Sequence, residues 1–149
     1  MRLALAIHLL CLTILAAGSL GAKVLHGAMR GRIQSAPAQA AVLLSAMLRF
    51  SVVAQVGGGL MLVSGIGLLS AERWVFWGTG WLYVKLALFV LLVLNGPLVA
   101  RPAANQLLEA LNAGGGAAVA APLKRLEIFH TVQVIGFAAI IVLAVLKPF

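Results

Sequence analysis

The chain has 149 residues, of which 63% are hydrophobic and 9% are charged, and its mean hydropathy is +1.12. These values exclude an ordinary soluble globular domain and indicate an integral membrane protein. The formal charge of +8 would suggest nucleic acid as a partner of a soluble chain. Here the basic residues sort by membrane side instead, so no nucleic-acid partner is expected.

Four apolar stretches are each long enough to cross a hydrocarbon core of about 30 Å as an α-helix. They cover roughly residues 3–25, 50–69, 77–100 and 128–146, and together they use up the chain as one transmembrane domain. The predicted fold is all-α, an integral membrane bundle of four transmembrane helices. An alternative interpretation of the first stretch, in which an apolar run is followed by small residues, is a secretory signal peptide.

Basic residues concentrate in two of the three connections between these stretches. The first connection is flanked by Lys23, Arg30, Arg32 and Arg49, and the third by Arg101, Lys124 and Arg125. The other face has Arg2, Arg73 and Lys147. By the positive-inside rule, the first and third connections are predicted to be cytoplasmic and both termini to be outside.

The second and third connections have different characters. The second is a predicted tight turn from Ser70 to Trp74, where the tryptophans are typical of an interfacial aromatic belt: Trp74, Trp77 and Trp81. The third contains a short amphipathic segment with Leu107, Leu108 and Leu111. Three glycines follow at 114–116, and no stable helix tolerates three together.

Glycines also recur within the first two spans. The first span carries Gly18, and the second carries Gly57, Gly58, Gly59, Gly65 and Gly67. Small residues let helix backbones approach closely, so tight packing between these helices is predicted. The alternative is a glycine-lined face that admits a flat ligand.

Lys85 is the one charged residue between Trp81 and Leu94, within the third span. An ammonium in hydrocarbon is costly, so an intramembrane lysine is a functional-site hypothesis. At 1.5 Å per residue, Lys85 lies about 6 Å and His8 about 7.5 Å below the outer boundary. The two are therefore predicted to share one layer. The alternatives are a Lys85 stem that extends to the interface and a hydrogen-bonded His8 within the bundle.

A second polar layer is predicted near the cytoplasmic side, formed by Arg49, Asn95, Glu127, His130 and Gln133. His130 lies roughly 20 Å from His8 in a core of about 30 Å, so these two histidines cannot bind one metal ion. His26 is expected at the membrane interface.

Asn95 precedes Gly96 and Pro97. A proline leaves a carbonyl of the preceding turn without its donor, which predicts a kink and a polar pocket. The alternative is an interhelical hydrogen bond for Asn95, with Arg49 and Glu127 extending from helix ends to the interface.

Three parts of the chain carry a resemblance to a known family. They are Trp81-Leu82-Tyr83-Val84-Lys85-Leu86, His8 with Gly18 ten residues later, and a last span that begins Lys124-Arg125-Leu126-Glu127-Ile128-Phe129 and closes Val145-Leu146-Lys147-Pro148-Phe149. They resemble HemJ-type protoporphyrinogen oxidases, which are small bacterial membrane haem proteins, and related four-helix proteins. The resemblance spans three of the four helices.

The resemblance implies a haem b protein that oxidises protoporphyrinogen IX in the bacterial cytoplasmic (inner) membrane. It places the metal ligands at His8 and Lys85. Imidazole is a common axial ligand to haem iron, and a lysine coordinates through its neutral amine. The further candidate cofactor-binding residues are Arg49, which could pair with a haem propionate, Asn95 and His130.

One motif departs from that family. The family usually opens the last helix with Asn-Glu-Val-Pro, whereas this chain has His130-Thr131-Val132-Gln133. The carboxylate that would serve as an acid-base or structural group is therefore absent, and the departure bears on oxidase activity more than on fold or haem.

Two function classes are left open. The first is a redox protein or oxidoreductase that holds haem b between the first and third helices and accepts electrons from protoporphyrinogen or a quinol-like reductant. The second is a non-catalytic accessory subunit of a larger respiratory or photosynthetic complex. A transporter or channel is less favoured, because no span pairs carboxylates with the basic residues. The expected partners are membrane lipid and either a second copy or a larger membrane complex.

Overall fold

The computed structural model describes residues 2–146 and is all-helical over that range. The helices are α1 (Arg2–Arg30), α2 (Pro37–Ala71), α3 (Gly80–Asn95), α4 (Arg101–Asn112) and α5 (Ala120–Leu146). A π-helical segment, Gly96–Ala100, joins α3 to α4, and a 3₁₀ turn, Gly116–Val119, precedes α5. Four continuous helical stretches are long and apolar enough to span a membrane: Arg2–Arg30, Pro37–Ala71, Gly80–Asn112 and Gly116–Leu146. The predicted four-helix membrane bundle is confirmed.

The helices extend beyond the apolar stretches where the basic residues lie. The first helix continues to Arg30, and the second already begins at Pro37 rather than near residue 50. A proline in the first turn costs no hydrogen bond, because its missing N–H would be unpaired there in any case. The first connection is consequently a short turn between two long helices.

The break after Asn95 takes the form of a π-helical turn that contains Pro97. Because this turn keeps the chain helical, α4 continues below α3 as an amphipathic segment. Its Leu107 is fully buried and Leu111 nearly so, as the sequence predicted. The helix then ends at the three glycines, where Gly115 adopts a φ of +80° that favours glycine over other residues.

The four spanning helices associate as two pairs. The contact between α1 and α2 is the most extensive in the protein, and α3 packs on α5. The pairs meet where α1 contacts α5 and where α2 contacts α4. Over the described residues, the backbone of α3 stays apart from those of α1 and α2, and apolar side chains from all four spanning helices pack between the pairs: Cys11, Leu15, Met61, Phe89, Leu92 and Ile140.

Four crossings place both termini on the same side of the membrane, and the predicted side is testable by cysteine labelling. In a Cys11→Ala background, Val75→Cys in the second connection should react with a membrane-impermeant maleimide in intact cells, because Val75 is 71% exposed. Ala113→Cys, at the exposed end of α4, should react only after permeabilisation. The reverse labelling pattern would show that the termini are cytoplasmic.

Candidate functional site

His8 lies at the contact between α1 and α2, near the amino-terminal end of the bundle. Its Nδ1 is 2.9 Å from the Ser64 hydroxyl, and its Cε1 would be 3.4 Å from a Cβ at Gly65. The hydroxyl also donates to the Met61 carbonyl at 3.2 Å. One turn of α2 therefore provides a hydrogen-bonding group and a side-chain-free surface for this imidazole. If Nδ1 carries the proton, Nε2 keeps its lone pair.

Lys85 reaches the same layer from α3, where it is half-buried. Its charge acts on the His8 imidazole, so the two side chains are near each other. His8, Ser64 and Lys85 are called the His8 layer below. The sequence placed His8 and Lys85 at equal depth but gave no sign of Ser64, because a serine in an apolar span usually bonds only to its own helix.

A second layer is built on two buried histidines from α1 and α5. His26 is 6% and His130 is 4% exposed, and their ring centroids are 5.1 Å apart. His26 is therefore covered by protein, because it packs against His130 of α5. At 1.5 Å per residue, His26 is about 27 Å below His8 along α1. His26 and His130 are called the histidine pair.

The histidine pair has unsatisfied nitrogens. Within the described structure, both ring nitrogens of His26 and Nε2 of His130 are buried without a hydrogen-bond partner. Nearby, Arg30 donates to Glu127 at 2.7 Å across the exposed ends of α1 and α5. This exposed ion pair bonds to neither histidine.

A cavity of about 280 Å³ lies between the two helix pairs and is called the interhelical cavity. Its polar lining comes from Ser19, Ser51, Gln55, Arg101, Asn105, His130 and Gln133. Gln133 donates weakly to the Leu92 carbonyl at 3.5 Å, while its Oε1 and the Ser19 hydroxyl are buried without partners in the described part of the chain. Both of these unpartnered atoms are fully buried, so they lie beside the cavity and do not open into it.

The other candidate residues are placed elsewhere. Asn95 lines a separate apolar groove, with Phe129 and Val132, on the side of α3 and α5. Arg49 is exposed on α2 and lines neither the groove nor the cavity. His130 lines the cavity. The predicted second polar layer is thus divided, and none of these three residues joins His8 and Lys85.

The aromatic residues around the second connection form a cluster. Trp74 and Trp77 are exposed and meet edge to face, with ring centroids 5.6 Å apart. Trp81 is instead 8% exposed and packs against Phe76. Two of the three predicted belt residues therefore have an interfacial character, while the third belongs to the core.

The arrangement of possible ligand side chains limits which metal ions the protein could bind. Among residues 2–146, no group of three or more His, Cys, Asp and Glu side chains is arranged to bind a metal ion. A bare ion that needs four protein ligands does not fit. The His8 layer does fit an iron that already carries four ligands from a ring, since it supplies one oriented imidazole and one amine.

Comparison with known proteins gives the family but no characterised relative. No curated protein and no solved structure matches the chain significantly. A family model described as a predicted integral membrane protein matches residues 2–148, which is nearly the whole chain. This match supports an integral membrane protein. The chain belongs to the DUF2269 family of predicted integral membrane proteins.

Proposed function

We propose that the protein is a membrane redox protein that binds haem b at the His8 layer, where His8 and Lys85 would hold the iron. The observation that carries this proposal is the pairing of a hydrogen-bonded imidazole with an intramembrane lysine from a neighbouring helix pair. Intramembrane lysines are rare and usually functional. The resemblance to HemJ-type oxidases points to the same two residues.

The first support is the bond between His8 and Ser64. Histidines that bind metals usually donate their second ring N–H to a neighbouring group, which fixes the tautomer and the orientation of the ring. A 2.9 Å contact between Nδ1 and the Ser64 hydroxyl has this form and leaves Nε2 as the ligand atom. Gly65 keeps the surface beneath the imidazole open.

The second support is the packing of the helices around this layer. The backbones of α1 and α3 lie apart over the described residues, so a flat ring above the packed side chains of Cys11, Leu15 and Phe89 would not have to break a close backbone contact. The interhelical cavity is less suited to this ring. A cavity of about 150 Å³ holds one benzene, so its volume of about 280 Å³ is too small for a macrocycle of four pyrroles joined by methine bridges.

Bound haem would supply one-electron transfer within the membrane. His8 and Lys85 would hold the haem, Ser64 would maintain the tautomer of the His8 imidazole, and Lys85 would take part as a neutral amine. A porphyrinogen-type electron donor is the substrate class implied by the family resemblance.

The test is the visible spectrum of the protein purified in mild detergent from cells that make haem. We expect a Soret band with stoichiometric haem, an α-band that sharpens on reduction with dithionite, and a pyridine haemochrome of the b type. A colourless protein that takes up no added hemin would contradict the proposal. If that protein elutes only with other membrane subunits, the accessory-subunit function is supported instead.

A further inference from the structure

We infer that the apolar groove beside Asn95 is the interface of a homodimer, in which the Asn95 amides of two copies hydrogen-bond to each other across a twofold axis. This groove lies between α3 and α5 and is called the Asn95 groove. The inference does not depend on haem, because it rests on the outer side of these two helices and not on the His8 layer.

The Asn95 amide is a polar group without a hydrogen-bond partner inside a membrane span. At 1.5 Å per residue it lies about 9 Å from Arg101, the nearest charged residue along the chain, so it is within the hydrocarbon. In the part of the chain that the structure describes, its side chain makes no hydrogen bond. Lipid tails cannot supply one. A molecule that brings a polar group to the groove would therefore gain a hydrogen bond in a medium without water.

The shape of the groove suits a second helix. Leu91, Asn95 and Leu98 follow one another at the i, i+4 and i+7 positions of α3 and all line the groove, which is the spacing of a helix–helix contact. Asn95 is at the middle of this line. The large apolar residues that line the groove and are exposed are Leu91, Leu94, Leu98, Val99, Ile128 and Val132.

The chemistry of the amide favours a second copy of this chain as the occupant. An asparagine side chain carries both a donor and an acceptor, so two such side chains related by a twofold axis form two reciprocal N–H···O bonds. With the axis along the membrane normal, the two α3 helices run parallel and the two Asn95 residues are level. A lipid acyl chain would fill the apolar groove but leave the amide unpaired.

Gln55 provides a matched control at a similar depth. It is exposed on α2, lines the interhelical cavity and does not line the Asn95 groove. A Cβ at Gly58 would lie 3.7 Å from Val93 Cγ2, so these two residues are level on helices that run in opposite directions. Counting along each helix from this contact places Gln55 and Asn95 within about one turn of the same depth.

The first experiment measures energy transfer between donor- and acceptor-labelled copies of the full-length protein in liposomes, over a range of protein-to-lipid ratios. The label is attached at Val75→Cys in a Cys11→Ala background. We expect a monomer–dimer equilibrium. Asn95→Leu keeps the side-chain volume and removes both hydrogen bonds, so it should raise the dissociation constant about tenfold. Asn95→Gln retains an amide and should keep most of the association, and Gln55→Leu should not change it.

The second experiment keeps Asn95 and locates the interface by disulfide cross-linking in membranes. In the Cys11→Ala background, Leu91→Cys should form a disulfide-linked dimer on oxidation, because residues that face each other across a close helix contact have Cα atoms within about 7 Å. Val56→Cys, which is exposed on α2 outside the groove, should stay monomeric.

Three results would overturn the proposal. Energy transfer no greater than that of random collisions at every ratio would show that the protein is monomeric, and the groove is then covered by lipid or by a different protein. Equal weakening by Asn95→Leu and Gln55→Leu would show that the amide of Asn95 has no special part. Equal cross-linking of Leu91→Cys and Val56→Cys would place the contact elsewhere, and this result does not depend on the folding of any Asn95 variant.

Discussion

Replacing Gly57 with alanine is expected to lower the free energy of unfolding by about 1–3 kcal/mol, the usual cost of overpacking a close contact. A Cβ at Gly57 would lie 2.6 Å from the Leu15 nitrogen and 2.8 Å from the Leu15 Cα. These are backbone atoms of α1, so no side-chain rotation relieves the clash. Because α1 and α2 form the most extensive contact, the two helices would have to separate along much of their length.

Gly18 provides the reciprocal test from the other helix. Its Cβ would lie 2.5 Å from the Ala54 nitrogen and 2.9 Å from the Phe50 carbonyl oxygen of α2. Gly18→Ala should therefore destabilise the protein by a similar amount. Since the two glycines belong to one interface, the double variant should not show the sum of the two effects.

The matched control lies two residues further along α2. A Cβ at Gly59 meets no atom within 4 Å, so Gly59→Ala should be neutral or slightly stabilising because alanine favours the helix. The measurement is the denaturation midpoint in detergent at fixed detergent concentration. Equal destabilisation by Gly57→Ala and Gly59→Ala would show that helix flexibility, and not the contact with α1, is what these glycines provide.

The glycines also show which helix contacts of this fold can be predicted from the sequence and which cannot. Composition alone predicted close packing through small residues, and Gly18 and Gly57 confirm it. The sequence could not tell which of the five glycines in α2 face α1, because that depends on how the two helices cross. Gly57 makes the contact, Gly65 lies under His8, and Gly59 and Gly67 meet no neighbouring atom within 4 Å.

Depth was the best-predicted property of the candidate site. The rise per residue of a helix is fixed, so counting from the membrane boundary placed His8 and Lys85 in one layer and His130 far from both. Rotation about the helix axis was not predictable in the same way. The histidine pair was not predicted for this reason. His26 and His130 are both near the same membrane boundary, and their similar depth was the one available signal.

The interhelical cavity was beyond prediction for a further reason. It exists because the helices associate as two pairs in which the backbones of α2 and α3 stay apart, and no local sequence pattern determines that arrangement. Ser19, Gln55 and Gln133 were unremarkable as single polar residues in apolar spans. They are notable only because the fold brings all three to the wall of the interhelical cavity.

Replacing His8 with alanine is expected to abolish stoichiometric haem binding, which is the largest effect predicted for the haem site. The change removes the proposed ligand atom and leaves the Ser64 hydroxyl facing a space the size of an imidazole. Added imidazole should therefore restore a Soret band in His8→Ala. Such rescue would not occur if the substitution acted only by unfolding the bundle.

Substitutions of Lys85 and Ser64 should have smaller effects on haem binding, which differ according to the role of each residue. Lys85→Leu should shift the Soret band, because one axial ligand is lost while His8 remains. Ser64→Ala should retain both ligands but weaken haem affinity by roughly 10–100-fold, the usual range for a group that orients a metal-bound histidine. Haem titrations followed by absorbance measure both effects.

Asn95→Ala and His130→Phe are the controls, because both residues lie outside the His8 layer. Each should leave the Soret band and the haem affinity unchanged. If Asn95→Ala removes as much haem as Lys85→Ala, the ring cannot be confined to the His8 layer and the depth assignment is wrong. If only His130→Phe removes it, the iron is bound at the histidine pair, and the intramembrane lysine needs another explanation.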